Sequence, residues 1–438
     1  MNNKGFTLIE LLAVVILLIT ISLFVMPKIV DVIKEGDKTK ENITKNKIIE
    51  AAKEYTSNYD TNFLNDLVNV GDSKYIDKEE LINNKLLDTK DIGDIPFIKV
   101  KVILKEDNKI EYIIVDSATV SRPNYGNAVD YINNLYDIED FRKEDGLKKD
   151  NTSDANIRYE GANPNNYVKF NDELWRIIGV FGDNIKLVRS EELGKLSWDI
   201  SDSSVNNGWG VNEWSQADLK EYLNTMYYGG TSVTCYVDGN NSTTTCPTGS
   251  LNSTSKSMIN NYTWNTGAIN VEDATIANQE TFTLNTVPFY NAERGSVNGK
   301  ICTSGNNCND TVTRSTTWQG YVALPYATDW AYASSETACA TNMNDGLDAA
   351  NYNFDNMTCK KKNWMHHGST MDEAMWMLSP LARSGYAYNV WLVFGGGLVD
   401  GGRYASIALS VFPSVYLNTE VKITSGSGTS SDPYILEL

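Results

Sequence analysis

Histidine is nearly missing from this chain: two occur in 438 residues, adjacent as His366 and His367. Acid–base chemistry near neutral pH draws on histidine more than on other side chains, so this pair bounds such chemistry tightly. Neighbouring residues on one segment point in different directions, which suits packing better than joint ligation of one ion. Basic residues are also short: 38 Lys and Arg stand against 56 Asp and Glu, giving a net charge of −18. Such a surface repels nucleic acid and anionic lipid, so no nucleic-acid partner is expected. No C-x-x-C pair occurs and no cysteine precedes Cys235, a pattern that disfavours zinc. A cleaved secretory signal would need a small-residue A-x-A-like site after its apolar core. None follows the early apolar run, which passes through Ser22 and Val25 into Pro27.

What the chain does contain is ample for a buried core. Hydrophobic residues make up 41% and charged ones 21%, ordinary values for globular protein, in a length exceeding one typical domain. Tyr reaches 24 and Trp 10, which fits either a densely packed domain or a carbohydrate-facing surface. The six cysteines are Cys235, Cys246, Cys302, Cys308, Cys339 and Cys359, all in polar stretches of the C-terminal half. In an extracytoplasmic segment they read as disulfides. Proximity along the chain pairs Cys235 with Cys246, Cys302 with Cys308 and Cys339 with Cys359.

The N-terminal segment carries the strongest signal. Residues 1–5 are polar and include Lys4, and the run Phe6–Met26 is apolar except for Glu10. As a helix it is long enough to cross about 30 Å of hydrocarbon. Lys4 ahead of it favours a cytoplasmic N-terminus with the remaining chain outside. A charged side chain at mid-membrane depth costs ~2.5–3.5 kcal/mol on insertion scales, so Glu10 implies a partner. Lys4-Gly5-Phe6-Thr7-Leu8-Ile9-Glu10 closely resembles the cleavage and methylation motif of the type IV pilin family. The resemblance covers roughly the first sixty residues. It implies that a prepilin peptidase/N-methyltransferase cuts between Gly5 and Phe6 and methylates the Phe6 amine. Glu10 then pairs with that terminal amine, of its own or an adjacent subunit, and sets register during assembly. Pro27 would kink the continuing helix.

Beyond Pro27 an amphipathic segment is expected to run to Asn58-Tyr59-Asp60, giving a filament-core helix over 6–58 after the leader 1–5. Residues 59–120 read as a small α/β head. Asp77-Lys78-Glu79-Glu80 opens a short helix. Phe97–Leu104 and Ile110–Val115 alternate as a hairpin. Residues 121–165 are polar and read as a linker, and 166–438 as a second, surface-displayed domain. Within it Tyr167–Phe170 and Leu174–Phe181 flank Asn171-Asp172 as a hairpin, and Ser215 is placed to cap a helix over 214–224. Gly395-Gly396-Gly397, Gly401-Gly402 and Gly426-x-Gly428 read as turns. The order of elements around Trp376-Met-Leu-Ser379, Tyr388, Trp391 and Pro413-Ser-Val-Tyr416 resembles C-type-lectin-like and formylglycine-generating-enzyme-like modules. The expected fold class is thus α+β: a long N-terminal pilin helix with a small α/β head, plus a large irregular, loop-rich, disulfide-stapled lectin-like domain.

No catalytic set follows from these residues. Formylglycine-type chemistry uses reactive cysteines, whereas all six here have a local partner, and fold does not imply function. No cofactor is expected. Calcium is the metal the sequence leaves open: Asp199-Ile-Ser-Asp202, Asp238-Gly-Asn-Asn241 and Asn307-Cys-Asn-Asp310 offer oxygens without the twelve-residue loop pattern. The expected function is a type IV pilin-like filament subunit, minor or tip-located, displaying an adhesin-like domain for attachment. Its partners are other pilin subunits, the processing enzyme, the membrane and a glycan or host-surface ligand. It is expected in the cytoplasmic membrane, C-terminus outside, and then at the cell surface. The alternatives are a pseudopilin of a secretion or DNA-uptake machine and a membrane-tethered surface enzyme.

Overall fold

The computed structural model describes residues 42–438 except 62, 68–69, 71–72, 93–96, 117–121, 202–203, 239–241, 271–272, 274, 279, 296–311, 352, 371–372 and 384. Gly5, Phe6, Glu10, Pro27, Cys302 and Cys308 therefore lie outside the described residues, as do the leader and the apolar run. Two compact units divide at Ser121 and Arg122.

The smaller unit is a three-stranded antiparallel sheet, Ser73–Asp77, Phe97–Leu104 and Ile110–Asp116, in sequence order. The alternating segments pair as the expected hairpin, and Ser73–Asp77 is an added strand that sequence alternation did not signal. Asp77 and Glu80 form a capping box on the helix Lys78–Asn83; the Asp77 amide donates to the Glu80 carboxylate at 3.2 Å. A helix over residues 42–54 runs into a π turn, Tyr55–Tyr59. Its buried Ile48, Ala51 and Ala52 share one core with Ile76, Leu81, Val100 and Val102.

The larger unit is organised around a ten-stranded and a six-stranded sheet. In the first, Asn184–Arg189 lies between Ser414–Tyr416 and Glu173–Phe181, and Tyr167–Phe170 runs parallel to Tyr434–Glu437. Asn171 and Asp172, with φ of 58° and 61°, make the two-residue turn that joins Tyr167–Phe170 to Glu173–Phe181. The second sheet runs Lys195–Ser197, Ala408–Ser410, Met375–Ala382, Asn389–Val393, Val399–Tyr404, with Ile269–Asn270 on Met375–Ala382.

These observations correct the expected fold class. The described residues are mixed α+β, mostly sheet with short helices, and none of those helices is long and apolar enough to cross a membrane. The larger unit is two substantial sheets rather than irregular loops. The reason is distance along the chain: Lys186 faces Tyr416, Lys195 faces Ser410 and Tyr434 faces Val168. Strands of three or four residues with remote partners carry too little alternation to be read singly.

Residues 121–165, expected as a linker, are also corrected. Asn127 accepts from the Val129 and Asp130 amides and caps the helix Ala128–Asp137, which buries Tyr131, Ile132 and Leu135. After a second helix, Glu139–Asp145, the strands Leu147–Lys149 and Ile157–Tyr159 join the large sheet. Several of the polar residues that suggested a linker, Asp145, Asp150, Thr152 and Asn156 among them, are inside; Asp145 accepts both Arg122 guanidinium nitrogens at 2.7 and 2.8 Å. The helix expected over 214–224 is a short 3-10 turn, Trp214–Gln216, then Asp218–Glu221 and a π segment, Tyr222–Tyr228. Ser215 donates to Glu213 instead of capping, while Leu219, Tyr222 and Leu223 are buried as expected.

Candidate functional site

The six-stranded sheet positions the most distinctive cavity, a groove of about 440 Å³ in the larger unit. Asn389 and Trp391 lie two residues apart on the strand Asn389–Val393, so alternation turns both side chains to one face. Both are 2% exposed and both line the groove. The Phe289 ring meets Trp391 edge-on, with centroids 4.8 Å apart, and fixes the indole from one side. On the neighbouring strand Gly401 lies against that indole. A Cβ there would stand 3.0 Å from Leu381 Cδ1 and 3.2 Å from the Trp391 ring. Gly401 and Gly402 therefore belong to the strand Val399–Tyr404 and are not the expected turn; their small size serves close approach. The turn is at Gly395-Gly396-Gly397, closed by the Phe394 amide donating to Leu398 and the Gly397 amide to Phe394.

The rim is aromatic. Tyr404 stacks on Trp209, with centroids 4.6 Å apart and planes at 17°, and Tyr388 packs edge-on against both. Tyr386 adjoins Tyr388 and carries the Arg383 guanidinium 4.8 Å above its ring. Tyr386 and Tyr404 keep 37% and 36% of their surface in solvent, unusual for large rings at the edge of a cavity. Asp400 completes the polar lining and accepts from the Gly402 amide at 3.1 Å. Burial raises its carboxyl above the ordinary range, against the pull of Arg403 and the Gly402 and Gly401 amides.

Behind this lining Asn389 Oδ1, an acceptor, and Trp391 Nε1, a donor, are buried with no hydrogen-bond partner among the described residues, as are the indole nitrogens of Trp198, Trp214 and Trp330. A buried polar group left unmatched costs about 1–3 kcal/mol, so such pairs are rare without a reason. The groove is of small-ligand size, with tyrosines at its rim and Arg383 and Asp400 in its polar lining.

A second buried polar cluster is built differently. Asp329, in the first turn of the helix Ala327–Tyr332, accepts from Arg158 Nη1 at 2.8 Å and from Lys186 Nζ at 2.5 Å. Arg158 Nε also meets Asp150 at 2.7 Å, and all four side chains are at most 2% exposed. Burial alone would raise the Asp329 carboxyl, but Lys186 and Arg158 prevail and hold it well below the usual range. Glu293 pairs with Arg294 at 3.0 Å and accepts from the Thr328 amide. This network was not foreseen in the sequence, where its members are single charges scattered from Asp150 to Asp329.

The cysteines and acidic segments fall as follows. Disulfides join Cys235 to Cys246 and Cys339 to Cys359, with Cα atoms 5.2 and 5.5 Å apart. Asp199 accepts from the Val211 amide at 2.6 Å and the Asp218 amide, and burial pushes its carboxyl up to about 8. Asp238 accepts from the Ala408 amide at 3.0 Å. Both thus bind backbone, and Asn307–Asp310 lies outside the described residues. Among those described, no group of three or more His, Cys, Asp or Glu side chains is gathered to hold a metal. His367 stacks on Phe412 at 4.3 Å, and burial takes its pKa down to about 4; His366 lies beside Trp330, and burial lowers its pKa as well. No protein family, curated protein or solved structure matches the chain.

Proposed function

We propose that this chain is a type IV pilin-like subunit that enters a filament through its processed N-terminal segment and presents its larger unit outside the cell for attachment. The observation that carries this reading is the run Lys4-Gly5-Phe6-Thr7-Leu8-Ile9-Glu10 at the head of an apolar stretch. Gly5 has no side chain to obstruct a peptidase, and the amine freed at Phe6 supplies the cation that a membrane-depth Glu10 requires. The two disulfides of the larger unit fit residence in an oxidising compartment beyond the membrane. Before assembly the chain is held in the cytoplasmic membrane with its C-terminus outside. A subunit this bulky suits a minor or tip position better than the repeated body of a fibre.

Replacing Glu10 with alanine tests the pairing. Removing a costly charge from an apolar stretch favours insertion, so Glu10→Ala chains are expected in the membrane at wild-type amounts and largely absent from sheared surface filaments. Incorporation equal to wild type, measured by immunoblot of the filament fraction, would contradict the reading.

A further inference from the structure

A larger cavity in the same unit, about 590 Å³, lies at the turn Gly182-Asp183 that joins Glu173–Phe181 to Asn184–Arg189. Arg294, the residue after the helix Thr286–Glu293, lines it. Its guanidinium is held from two sides. The Tyr290 ring centroid lies 3.4 Å away, and Nη1 donates to Glu293 at 3.0 Å and to the Tyr290 carbonyl at 3.3 Å. Nε and Nη2 have no hydrogen-bond partner among the described residues. In contrast to Arg158 Nη2, neither is sealed from solvent, and 15% of the Arg294 side chain is open. The unused edge thus carries two parallel N–H groups, a fit for the two oxygens of a carboxylate. Stacking and anchoring fix that edge in advance, so little side-chain freedom is lost when a ligand arrives. Burial pushes the Glu293 carboxyl up to about 7, so at neutral pH it balances the guanidinium only in part.

The remaining lining narrows the ligand. Asp154 and Asp183 present exposed carboxylates to the same cavity, which disfavour a dianion such as phosphate and favour groups that donate. Asp154 accepts from the Tyr290 hydroxyl at 2.7 Å, so a single ring separates it from the guanidinium stacked there. Tyr262, half-buried and stacked on Tyr416 with centroids 3.7 Å apart, gives the body of a ligand an apolar face. The volume is that of a small-ligand site.

We infer that this cavity binds a small monocarboxylate, its carboxylate on the Nε–Nη2 edge of Arg294 and its hydrogen-bond donors directed to Asp154 and Asp183. Acidic sugars and α-amino acids share that chemistry, donating through hydroxyls in one case and through an ammonium in the other. The inference concerns the larger unit alone and goes beyond the filament reading, which rests on the N-terminal segment.

The test titrates the full chain, in a neutral detergent without a sugar headgroup, by calorimetry. The probes are galacturonate, N-acetylneuraminate, phenylalanine, the methyl ester of each, and inorganic phosphate. At least one acid is expected to bind, and its ester about tenfold more weakly, since the ester forfeits the charge-assisted pair of hydrogen bonds. Arg294→Lys keeps a cation beside Glu293 but lacks the planar edge, and should weaken the acid about tenfold. Asp183→Asn, at an exposed turn, separates the two sources without touching the core. It tightens an acidic sugar by removing a repelling charge and weakens an amino acid by removing a partner of its ammonium. No binding of any of the three acids, esters or phosphate binding as tightly as the acids, or affinity unchanged in both variants would each overturn the assignment. None of these outcomes bears on Gly5, Phe6 or Glu10, so the filament reading is judged separately.

Discussion

Two of the clusters of polar groups buried in the larger unit, one around Asp329 and one around Trp391, are finished to different degrees. Around Asp329 each charge meets its opposite: Lys186 and Arg158 share the carboxylate, and Asp150 takes the remaining face of Arg158. Arg158 Nη2 alone lacks a hydrogen bond, and its guanidinium lies 4.6 and 4.8 Å from the rings of Phe181 and Tyr332. Around Trp391 a donor and an acceptor are buried without a hydrogen-bond partner among the described residues. The closed network ties Arg158 and Lys186, on two strands of the large sheet, to the helix Ala327–Tyr332, whereas polar groups buried without partners are stable only at a cost.

The comparison can be broken at the closed cluster first. Asp329→Ala leaves two cations buried without their carboxylate and should destabilise the protein by about 3–5 kcal/mol in urea unfolding. A loss under about 1 kcal/mol would show that the network does not hold the unit together. The sign with pH follows from the depressed carboxyl. Its contribution is complete above the unfolded value, 3.8 by the ordinary reference, and is lost as pH falls through the lower folded value. Acid unfolding should therefore be shallower in Asp329→Asn than in the native chain.

A smaller effect sharpens the contrast. Trp376 and Trp391 are both buried on the six-stranded sheet, but the Trp376 indole donates to the Leu196 carbonyl at 3.0 Å while that of Trp391 has no acceptor among the described residues. Replacing either with phenylalanine removes the same volume. Trp376→Phe should cost about 1 kcal/mol more than Trp391→Phe, the difference being one satisfied hydrogen bond and the carbonyl it leaves behind. Equal costs in paired thermal unfolding would mean that the Trp391 N–H is satisfied after all.

What could be read in the sequence was local. The hairpins at Asn171-Asp172 and between Phe97–Leu104 and Ile110–Asp116 have their partners close along the chain, and the two disulfides span 11 and 20 residues. Those contacts leave an alternation or a spacing that a short window captures. The sheet order did not, because strands near Asn184 and Ser414 find each other only in three dimensions. Polar composition misled over 121–165, where Asp145, Asp150 and Arg158 are buried as ion pairs instead of solvated in a linker. Gly401-Gly402 misled in the same way, since glycine marks close approach to an indole as readily as it marks a turn. Trp391 was singled out by sequence order, but its burial against Gly401 and Phe289 is visible only in three dimensions.

The functional account depends most on how the mature chain begins. Mass spectrometry of the protein isolated from sheared surface filaments measures this directly. Cleavage after Gly5 predicts an N-terminal peptide starting at Phe6 and heavier by one methyl group. A mature chain retaining Met1, or beginning at any other residue, would contradict entry into a filament by the proposed route.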